Sequence, residues 1–317
     1  MATVVCLERD SLGPQFQLPQ LPPLHEWRNY PTTTPEQIIV RLRDADVVVV
    51  NKLILNDQLL AQLPKLKLIA VSATGVNNID LSAASRLGIK VCNVRGYAGP
   101  SVAEHTFMLL LALKRNLISY RQSLLKDHWQ ESGQFCYTDY SIENIHGQTM
   151  GIIGSGHLGQ HIAKIAKAFG MKIKFAARPG QKAQSNKSAF EDVLSSCDVI
   201  SIHCPLNEQT KNLISDEQFD LMQPGAILIN TARGGIVNEN ALLKALQQHK
   251  IAGAGFDVSQ HEPPLENSPL LEAVKMENFL LTPHIAWASD QSRQNLINQL
   301  VENIQMFLNG HPKNLLN

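Results

Sequence analysis

The sequence is poor in the features that mark several broad classes of protein. Its 317 residues contain only five cysteines, an odd number scattered without CxxC or Cys/His spacing. We therefore expect no disulfide framework and no metal site, and reduced thiols are typical of a cytoplasmic protein. Basic and acidic side chains number 28 each, so no long-range electrostatic attraction favours binding to nucleic acid or to an anionic membrane.

Long apolar runs are also lacking. The longest, at 107–113, is far shorter than a bilayer requires. The N-terminal stretch MATVVCLERD becomes charged before the apolar core of a signal peptide can form. We expect neither export nor a membrane anchor. What the chain has is length, because 317 residues exceed the usual size of one hydrophobic core and predict two domains.

The most informative segment is 149–178. A short apolar run leads through GSGHLG at 154–159 into a helical pattern, and a second strand-like run follows at 172–177. A strand, glycine turn, helix and strand in this order are typical of dinucleotide binding, and they favour it over an ordinary glycine-containing loop. Gly154 would permit the tight turn, Gly156 would let backbone N–H groups approach a pyrophosphate, and Gly159 would let the helix lie close on the strand.

Strand-like and helix-like patterns alternate along nearly the whole chain, which predicts an α/β protein with doubly wound parallel sheets. A first, smaller block ends at about residue 98 and includes four valines at 47–50, which are typical of a strand buried on both faces. The second block carries the glycine turn and six predicted strands. Its segment 118–147 has aromatic residues without a clean period, and it either packs on a second subunit or folds back on its own domain.

Polar side chains follow three strands of the second block, where ligands of open α/β sheets bind. They are Arg233 in NTARGG, Glu262 before two prolines, and His284 in TPHIAW. Singly, each has an ordinary structural explanation, as a carboxylate partner, a solvated loop residue and a half-buried histidine. Together beside a nicotinamide they suit reduction of a 2-oxo acid, because arginine binds the carboxylate and polarises the ketone while histidine donates a proton. A neighbouring glutamate would favour the imidazolium and orient its ring.

Motifs spread along the chain give it a specific resemblance to the D-isomer-specific 2-hydroxyacid dehydrogenases, and within them to the glycerate dehydrogenase/hydroxypyruvate reductase group. They are ATGVNNID at 73–80, NVRGYAGPSVAEHT at 93–106, GSGHLG at 154–159, NTARGG at 230–235, GFDVSQHEPP at 255–264 and TPHIAWAS at 282–289. The resemblance implies that Arg233, Glu262 and His284 form the catalytic triad.

The same resemblance implies the domain organisation. A Rossmann dinucleotide-binding domain would span 99–287, and a smaller flavodoxin-like substrate domain would span 1–98, completed by the C-terminal helix within 288–317. Members of the family are usually homodimers joined through the nucleotide domain, which favours the subunit-contact interpretation of 118–147.

Ligand contacts follow from the resemblance as well. The backbone around Ala73, Thr74 and Gly75 would grip the substrate carboxylate together with Arg233, and Trp287 would leave room for a short, polar substrate. Asp257 would bind the nicotinamide carboxamide. Residues expected near the cofactor are Val102, Gly154, Gly156, His157, Leu158, Gly159, Ala177, Arg178, Cys204, Pro205, Thr231, Ala232 and Asp257.

These features predict an NAD(P)-dependent reductase of small 2-oxo acids, with hydroxypyruvate or glyoxylate preferred. The alternative is a dinucleotide-sensing corepressor on the same fold. Such a sensor need not keep an acid, its partner and a carboxylate clamp together, and it would be expected to carry basic or peptide-binding accessory segments. This chain has all three groups and no obvious tails, which favours catalysis.

The sequence departs from the family pattern at the end of the second strand of the βαβ unit. NAD-selective members carry an aspartate there for the adenosine ribose 2′-hydroxyl, whereas this chain has Ala177, followed by Arg178 and then Lys182. A 2′-phosphate would meet a cation in place of an anion. We therefore expect NADP to be favoured, with NAD possible if Arg178 is simply a solvated loop residue.

Overall fold

A computed structural model describes residues 2–13, 15–16, 25–183 and 186–317. The chain divides into two compact units, Met1–Ala98 with Ala288–Asn317, and Gly99–Trp287. We call them unit 1 and unit 2. Within the described residues, no helix combines the length and the apolar character needed to cross a membrane.

Unit 1 is built on a five-stranded, wholly parallel sheet. Its strand order is β2-β1-β3-β4-β5, the order of flavodoxin-like domains, as predicted. The strands are β1 (Thr3–Cys6), β2 (Glu26–Asn29), β3 (Val47–Val50), β4 (Leu68–Val71) and β5 (Lys90–Cys92). The helices are α1 (Ile38–Leu42), which a 3₁₀ turn at Pro35–Gln37 precedes, α2 (Asp57–Leu60), α3 (Leu81–Arg86) and a C-terminal helix at Asp290–Leu308.

The strand β2 was not predicted from the sequence. Its residues, EWRN, show no apolar run, and among the described strands β1 alone pairs with β2, which is therefore an edge strand. An edge strand exposes part of its surface to water and therefore tolerates charged side chains that a central strand would not. By contrast, the four valines of β3 are all buried, because β3 has neighbouring strands on both sides and is covered on both faces.

The chain's C-terminus completes the opposite edge of the same sheet. The C-terminal helix buries Leu296, Ile297, Leu300 and Ile304. Beyond it, the backbone N–H of Leu316 donates to the Val91 carbonyl at 2.9 Å, and the side chain of Asn317 accepts from the Val91 N–H at 2.8 Å. The edge of β5 is thus hydrogen-bonded by residues far away in sequence.

Unit 2 contains a six-stranded parallel sheet with the order β11-β10-β9-β8-β6-β7. The strands are β6 (Thr149–Ile153), β7 (Lys172–Phe175), β8 (Val199–Ile202), β9 (Ile227–Asn230), β10 (Gly253–Phe256) and β11 (Phe279–Leu281). The helices are α4 (Gly99–Lys114), α5 (Leu117–Leu124), α6 (His128–Ser132), α7 (His157–Ala168), α8 (Phe190–Ser196), α9 (Asp216–Leu221), α10 (Glu239–Gln247) and α11 (Pro269–Ala273).

The strand order reverses between β6 and β8. The connection from β6 runs to β7 on one side, whereas β8 to β11 follow one another on the other side. In open α/β sheets such a switch point leaves a crevice at the carboxyl ends of the strands, and ligands bind there. One hydrophobic core includes buried side chains of α4 and α7, and a second includes those of α8, α9, α10 and α11. The two doubly wound α/β sheets predicted from the sequence are therefore confirmed.

The segment predicted to be irregular, 118–147, contains two short helices, α5 and α6. The buried side chains of α5 are serines, and α6 buries none of its residues, which explains why apolar periodicity did not reveal these helices. Ser119 and Ser123 are buried, and Ser123 binds both the Tyr137 hydroxyl, at 2.8 Å, and His128 Nδ1, at 3.0 Å. At the base of the segment, the buried Lys114 donates to Glu143 at 2.7 Å.

Candidate active site

The glycine turn lies between β6 and α7, at the switch point of the sheet. Gly154 has a φ of 115°, and a Cβ added there would lie 2.4 Å from the carbonyl oxygen of His203. A Cβ on Gly159 would lie 2.0 Å from the Gly154 carbonyl oxygen. Only glycine allows both the backbone conformation at 154 and the close packing at 159.

Gly156 differs from these two glycines, because a Cβ there would meet nothing within 4 Å. It is the residue before α7, and neither a side-chain cap nor an acidic residue occupies the first turn of this helix. The N–H groups at the start of α7 therefore face open space beside a residue that has no side chain. A pyrophosphate fits this arrangement, because helix N-termini bind anions.

The loop after β9 carries Arg233. The buried side chain of Asn230 shapes it by accepting from the Ala232 N–H and donating to the Arg233 carbonyl, both at 3.1 Å. The guanidinium is half-buried and donates to the Ala232 carbonyl at 2.7 Å. A Cβ on the next residue, Gly234, would lie 1.9 Å from the carbonyl oxygen of Ser259, so the Arg233 loop packs directly on the loop after β10.

His284 and Glu262 form a hydrogen-bonded histidine–carboxylate pair. His284 Nδ1 lies 2.7 Å from Glu262 Oε2, and the side chains are 26% and 34% exposed. Glu262 Oε1 also accepts from the Ser259 N–H at 3.2 Å. With Nδ1 bound to a carboxylate, Nε2 is the nitrogen left for a substrate.

Asp257 holds the loop that carries His284. It is 1% exposed, and its two oxygens accept from the N–H groups of Ile285, at 2.9 Å, and Ala286, at 2.8 Å. It also accepts from the Thr282 hydroxyl at 2.5 Å, and His105 Nε2 lies 2.8 Å from that hydroxyl. Burial lowers the pKa of His105, although the Asp257 carboxylate opposes this. The contacts of Asp257 with this loop were not predicted from the sequence, which gave Asp257 only a nicotinamide contact.

The other residues predicted to contact the cofactor also belong to unit 2. Thr231 and Ala232 are buried in the Arg233 loop, and Thr231 Oγ1 lies 3.0 Å from the Thr106 hydroxyl of α4. Val102 lies in the first turn of the same helix. His157 and Leu158 begin α7, Ala177 and Arg178 follow β7, and Cys204 and Pro205 follow β8. Burial raises the pKa of the Cys204 thiol to about 11, so it stays protonated at neutral pH. Trp287 closes unit 2 and follows β11.

The three residues predicted to grip the substrate carboxylate from the first domain belong to unit 1. Ala73, Thr74 and Gly75 follow β4. The Thr74 hydroxyl donates to the Val94 carbonyl at 2.8 Å, and the Asn93 amide donates to the Thr74 carbonyl at 2.7 Å. These contacts order the loop through side chains.

Several polar residues shape the site although the sequence patterns did not single them out. Asn230, His105 and Thr282 position loops, and so does Glu239 at the start of α10. Asn230 and Thr282 lie inside the motifs NTARGG and TPHIAWAS, so their position next to Arg233 and His284 was the available signal. His105 and Glu239 gave no local signal, because their partners are distant in sequence.

A glycine turn at the switch point of a parallel sheet, together with a histidine–carboxylate pair and an arginine loop at its strand ends, defines a dinucleotide-dependent oxidoreductase. The family model described as "D-isomer specific 2-hydroxyacid dehydrogenase, NAD binding domain" matches residues 107–286. The chain belongs to the D-isomer-specific 2-hydroxyacid dehydrogenases, as its sequence motifs had indicated.

Individual relatives agree with this family. The chain is 46% identical to the glycerate dehydrogenase of Methylorubrum extorquens over 315 residues, which cover 99% of this chain and 98% of that protein. It is 35% identical to the hydroxypyruvate reductase of Blautia hydrogenotrophica, with 90% and 89% of the two chains covered. The structure of D-lactate dehydrogenase from Aquifex aeolicus, complexed with NAD and lactic acid, matches with a TM-score of 0.81 and 26% identity over 99% and 98% of the chains.

Proposed function

We propose that this enzyme reduces hydroxypyruvate or glyoxylate to D-glycerate or glycolate, with NADPH as the preferred hydride donor. The observation that carries the proposal is the 2.7 Å pair of His284 and Glu262, which follows the strands of the same sheet as the Arg233 loop. The names of the similar glycerate dehydrogenase and hydroxypyruvate reductase support the substrate class. A dinucleotide-sensing corepressor is not favoured.

The chemistry assigns one task to each side chain. Arg233 binds the substrate carboxylate through its guanidinium and polarises the neighbouring ketone. When bound at the glycine turn, a nicotinamide dinucleotide would supply the hydride for the reduction. His284 Nε2 gives its proton to the carbonyl oxygen, and Glu262 stabilises the protonated ring until that transfer.

The substrate test compares kcat/KM for hydroxypyruvate, glyoxylate, pyruvate and phenylpyruvate with either reduced cofactor. We expect the two short, polar substrates to lead. A bulky 2-oxo acid that wins by tenfold would overturn the substrate assignment. If none of the four 2-oxo acids is reduced with either cofactor, the proposal that the protein is a 2-oxo acid reductase is wrong.

The preference for NADPH rests on the residues after β7. Ala177 is buried and donates its N–H to the Ser188 carbonyl at 2.8 Å, and as an alanine it carries no carboxylate. Arg178 is exposed and begins a turn in which the Gln181 N–H donates to its carbonyl at 3.0 Å. An arginine at this point attracts the 2′-phosphate that an aspartate would repel.

The cofactor test is a comparison of kcat/KM for NADPH and NADH in the unmodified enzyme and in Ala177→Asp. We expect NADPH to lead in the unmodified enzyme and NADH to lead in the variant. Arg178→Ala is the matched control, since it should weaken NADPH alone. A clear preference of the unmodified enzyme for NADH would contradict the assignment.

We also propose a homodimer joined through segment 118–147. Apolar side chains along and beside this segment are exposed, among them Leu117, Leu125, Trp129 and Phe135, the last at 93%. An apolar surface of this kind is typical of a subunit interface. Analytical ultracentrifugation should show a dimer. The double variant Phe135→Ser with Leu125→Ser should weaken the dimer, whereas Leu265→Ser, at another exposed leucine, should not.

We also propose a cytoplasmic location. The five cysteines are free thiols, which supports it.

A further inference from the structure

Unit 2 contains a buried carboxylate that the proposed reaction does not use. Glu239 is the first residue of α10 and is 9% exposed. Its Oε1 accepts from the Gln260 N–H at 2.6 Å and from the Ser259 hydroxyl at 3.4 Å, and its Oε2 accepts from the Ser268 hydroxyl at 3.4 Å. A buried carboxylate is costly unless such donors satisfy it, and the N-terminus of α10 lowers that cost further.

The donors lie at the two ends of one loop, 259–268, and this loop carries Glu262. Ser259 connects Glu239 to the site directly, because its hydroxyl binds Glu239 while its N–H binds Glu262 Oε1 at 3.2 Å. At the other end, Ser268 also accepts from the Leu270 N–H at 3.3 Å and so begins α11. Glu239 therefore holds both ends of the loop against α10.

Apolar packing does little to hold this loop. A cavity of about 280 Å³ lies between the loop and the start of α10, with Glu239, Gln260 and Ser268 among its lining residues. Leu265, a large apolar residue of the loop, is exposed. The polar contacts of Glu239 therefore restrain the loop beside this cavity.

The same helix end also adjoins the arginine loop. Asn238, which caps α10 by accepting from the Ala241 N–H at 3.1 Å, lies a few residues after Arg233. Gly234 packs against the Ser259 carbonyl so closely that a Cβ would not fit. The start of α10 is thus joined to the Arg233 loop through the backbone and to the Glu262 loop through Glu239.

We propose that Glu239 is a positioning residue for the acid–base pair, which sets the direction of the Glu262 carboxylate toward His284 Nδ1 by anchoring residues 259–268. This inference rests on the proposed function of that pair. Without the anchor, Ser259 no longer holds Glu262 Oε1, and the carboxylate stabilises the imidazolium less. The consequence is a lower fraction of protonated His284 at a given pH, while the glycine turn is untouched.

The test compares Glu239→Ala and Glu239→Gln with Glu217→Gln, which changes an exposed glutamate in the first turn of α9. The measurements are kcat, KM and kcat/KM against pH for hydroxypyruvate reduction, and the Kd for NADPH. We expect Glu239→Ala to lower kcat about 10- to 100-fold and to move the falling limb of activity to lower pH. Glu239→Gln should recover much of the loss, since its amide oxygen can still accept from Gln260. The Kd for NADPH should stay within about twofold.

Two outcomes would overturn the inference. One is a folded Glu239→Ala enzyme whose falling limb does not move, and the other is a lower melting temperature as the sole effect. If Glu239→Ala does not fold, Ser268→Ala can replace it, because it removes only the Ser268–Glu239 hydrogen bond. This variant should move the high-pH fall of activity in the same direction, by a smaller amount.

Nuclear magnetic resonance separates this inference from the proposed reaction. The imidazole signals of His284 can be titrated without any substrate. If the unmodified enzyme reduces no 2-oxo acid, the proposed function fails. The inference about Glu239 still stands if its variants lower the pH at which His284 titrates, as Glu262→Gln should, and it fails if they do not.

Discussion

The carboxyl ends of the two sheets use their acidic side chains differently. In unit 1, Glu8 follows β1 and accepts from the N–H groups of Asn51, Lys52 and Leu53 at 2.7 to 3.2 Å. In unit 2, Asp257 and Glu239 similarly bind backbone N–H groups. Unit 2 has in addition a more exposed acid, Glu262, whose carboxylate contacts a histidine.

This difference shows how one architecture supports two roles. Both units are parallel α/β sheets with loops ordered by acids at their strand ends. Where the acid is saturated by backbone N–H groups, it contributes stability. In unit 2, Asp257 and Glu239 bind the backbone of the loops, and the further carboxylate of Glu262 contacts His284. The chemistry therefore depends on which side chains remain, and the fold alone does not decide it.

The largest effect should come from Arg233, the arginine of the loop after β9. Arg233→Ala should abolish detectable turnover, because carboxylate binding and ketone polarisation are lost together. Steady-state assays and the Kd for NADPH measure this. Arg233→Lys keeps the charge without the bidentate fork and should recover only part of the rate. Near-normal kcat in Arg233→Ala would remove this residue from the reaction.

His284→Ala should lower kcat by about a hundredfold or more, since a positioned general acid is lost. His261→Ala is the matched control, because His261 lies exposed in the loop that carries Glu262. Its kcat should stay within about twofold. Equal losses in the two variants would mean that the histidine effect comes from the loop and not from proton transfer.

Glu262→Gln should change the pH dependence more than the rate. The carboxylate favours the protonated ring, so its removal lets His284 lose its proton at lower pH. Reduction needs that proton, and the falling limb of kcat/KM should move to lower pH. A lower rate with an unmoved limb would assign Glu262 a structural role like that of Glu8.

The smallest effect on catalysis should come from Glu8→Ala, which tests the unit 1 side of the comparison. The N–H groups of Asn51, Lys52 and Leu53 lose their acceptor, and we expect the free energy of unfolding to fall by about 1 to 3 kcal/mol. Urea denaturation followed by circular dichroism measures this, with exposed Asp10→Ala as the control. The pH profile of kcat should be unchanged. A shift of its high-pH fall would contradict the interpretation that Glu8 contributes only to stability.

The sequence by itself determined the features that depend on neighbouring residues. The βαβ unit at 149–178 was predictable because the glycines and the apolar runs that require them are adjacent. The same holds for the buried valines of β3 and for the position of Arg233, Glu262 and His284 after strands. Their roles in catalysis are predictions that the variants above test.

Only the tertiary structure decided what depends on distant partners. β2 is a strand because β1 pairs with it, and its own residues gave no strand pattern. Three sets of contacts join residues about 20 or more positions apart. They are the 2.7 Å contact of His284 with Glu262, the binding of the His284 loop by Asp257, and the binding of Glu239 to both ends of 259–268. Hydrogen bonds need atoms within about 3 Å, and no local periodicity encodes which distant loops the folded sheet brings that close.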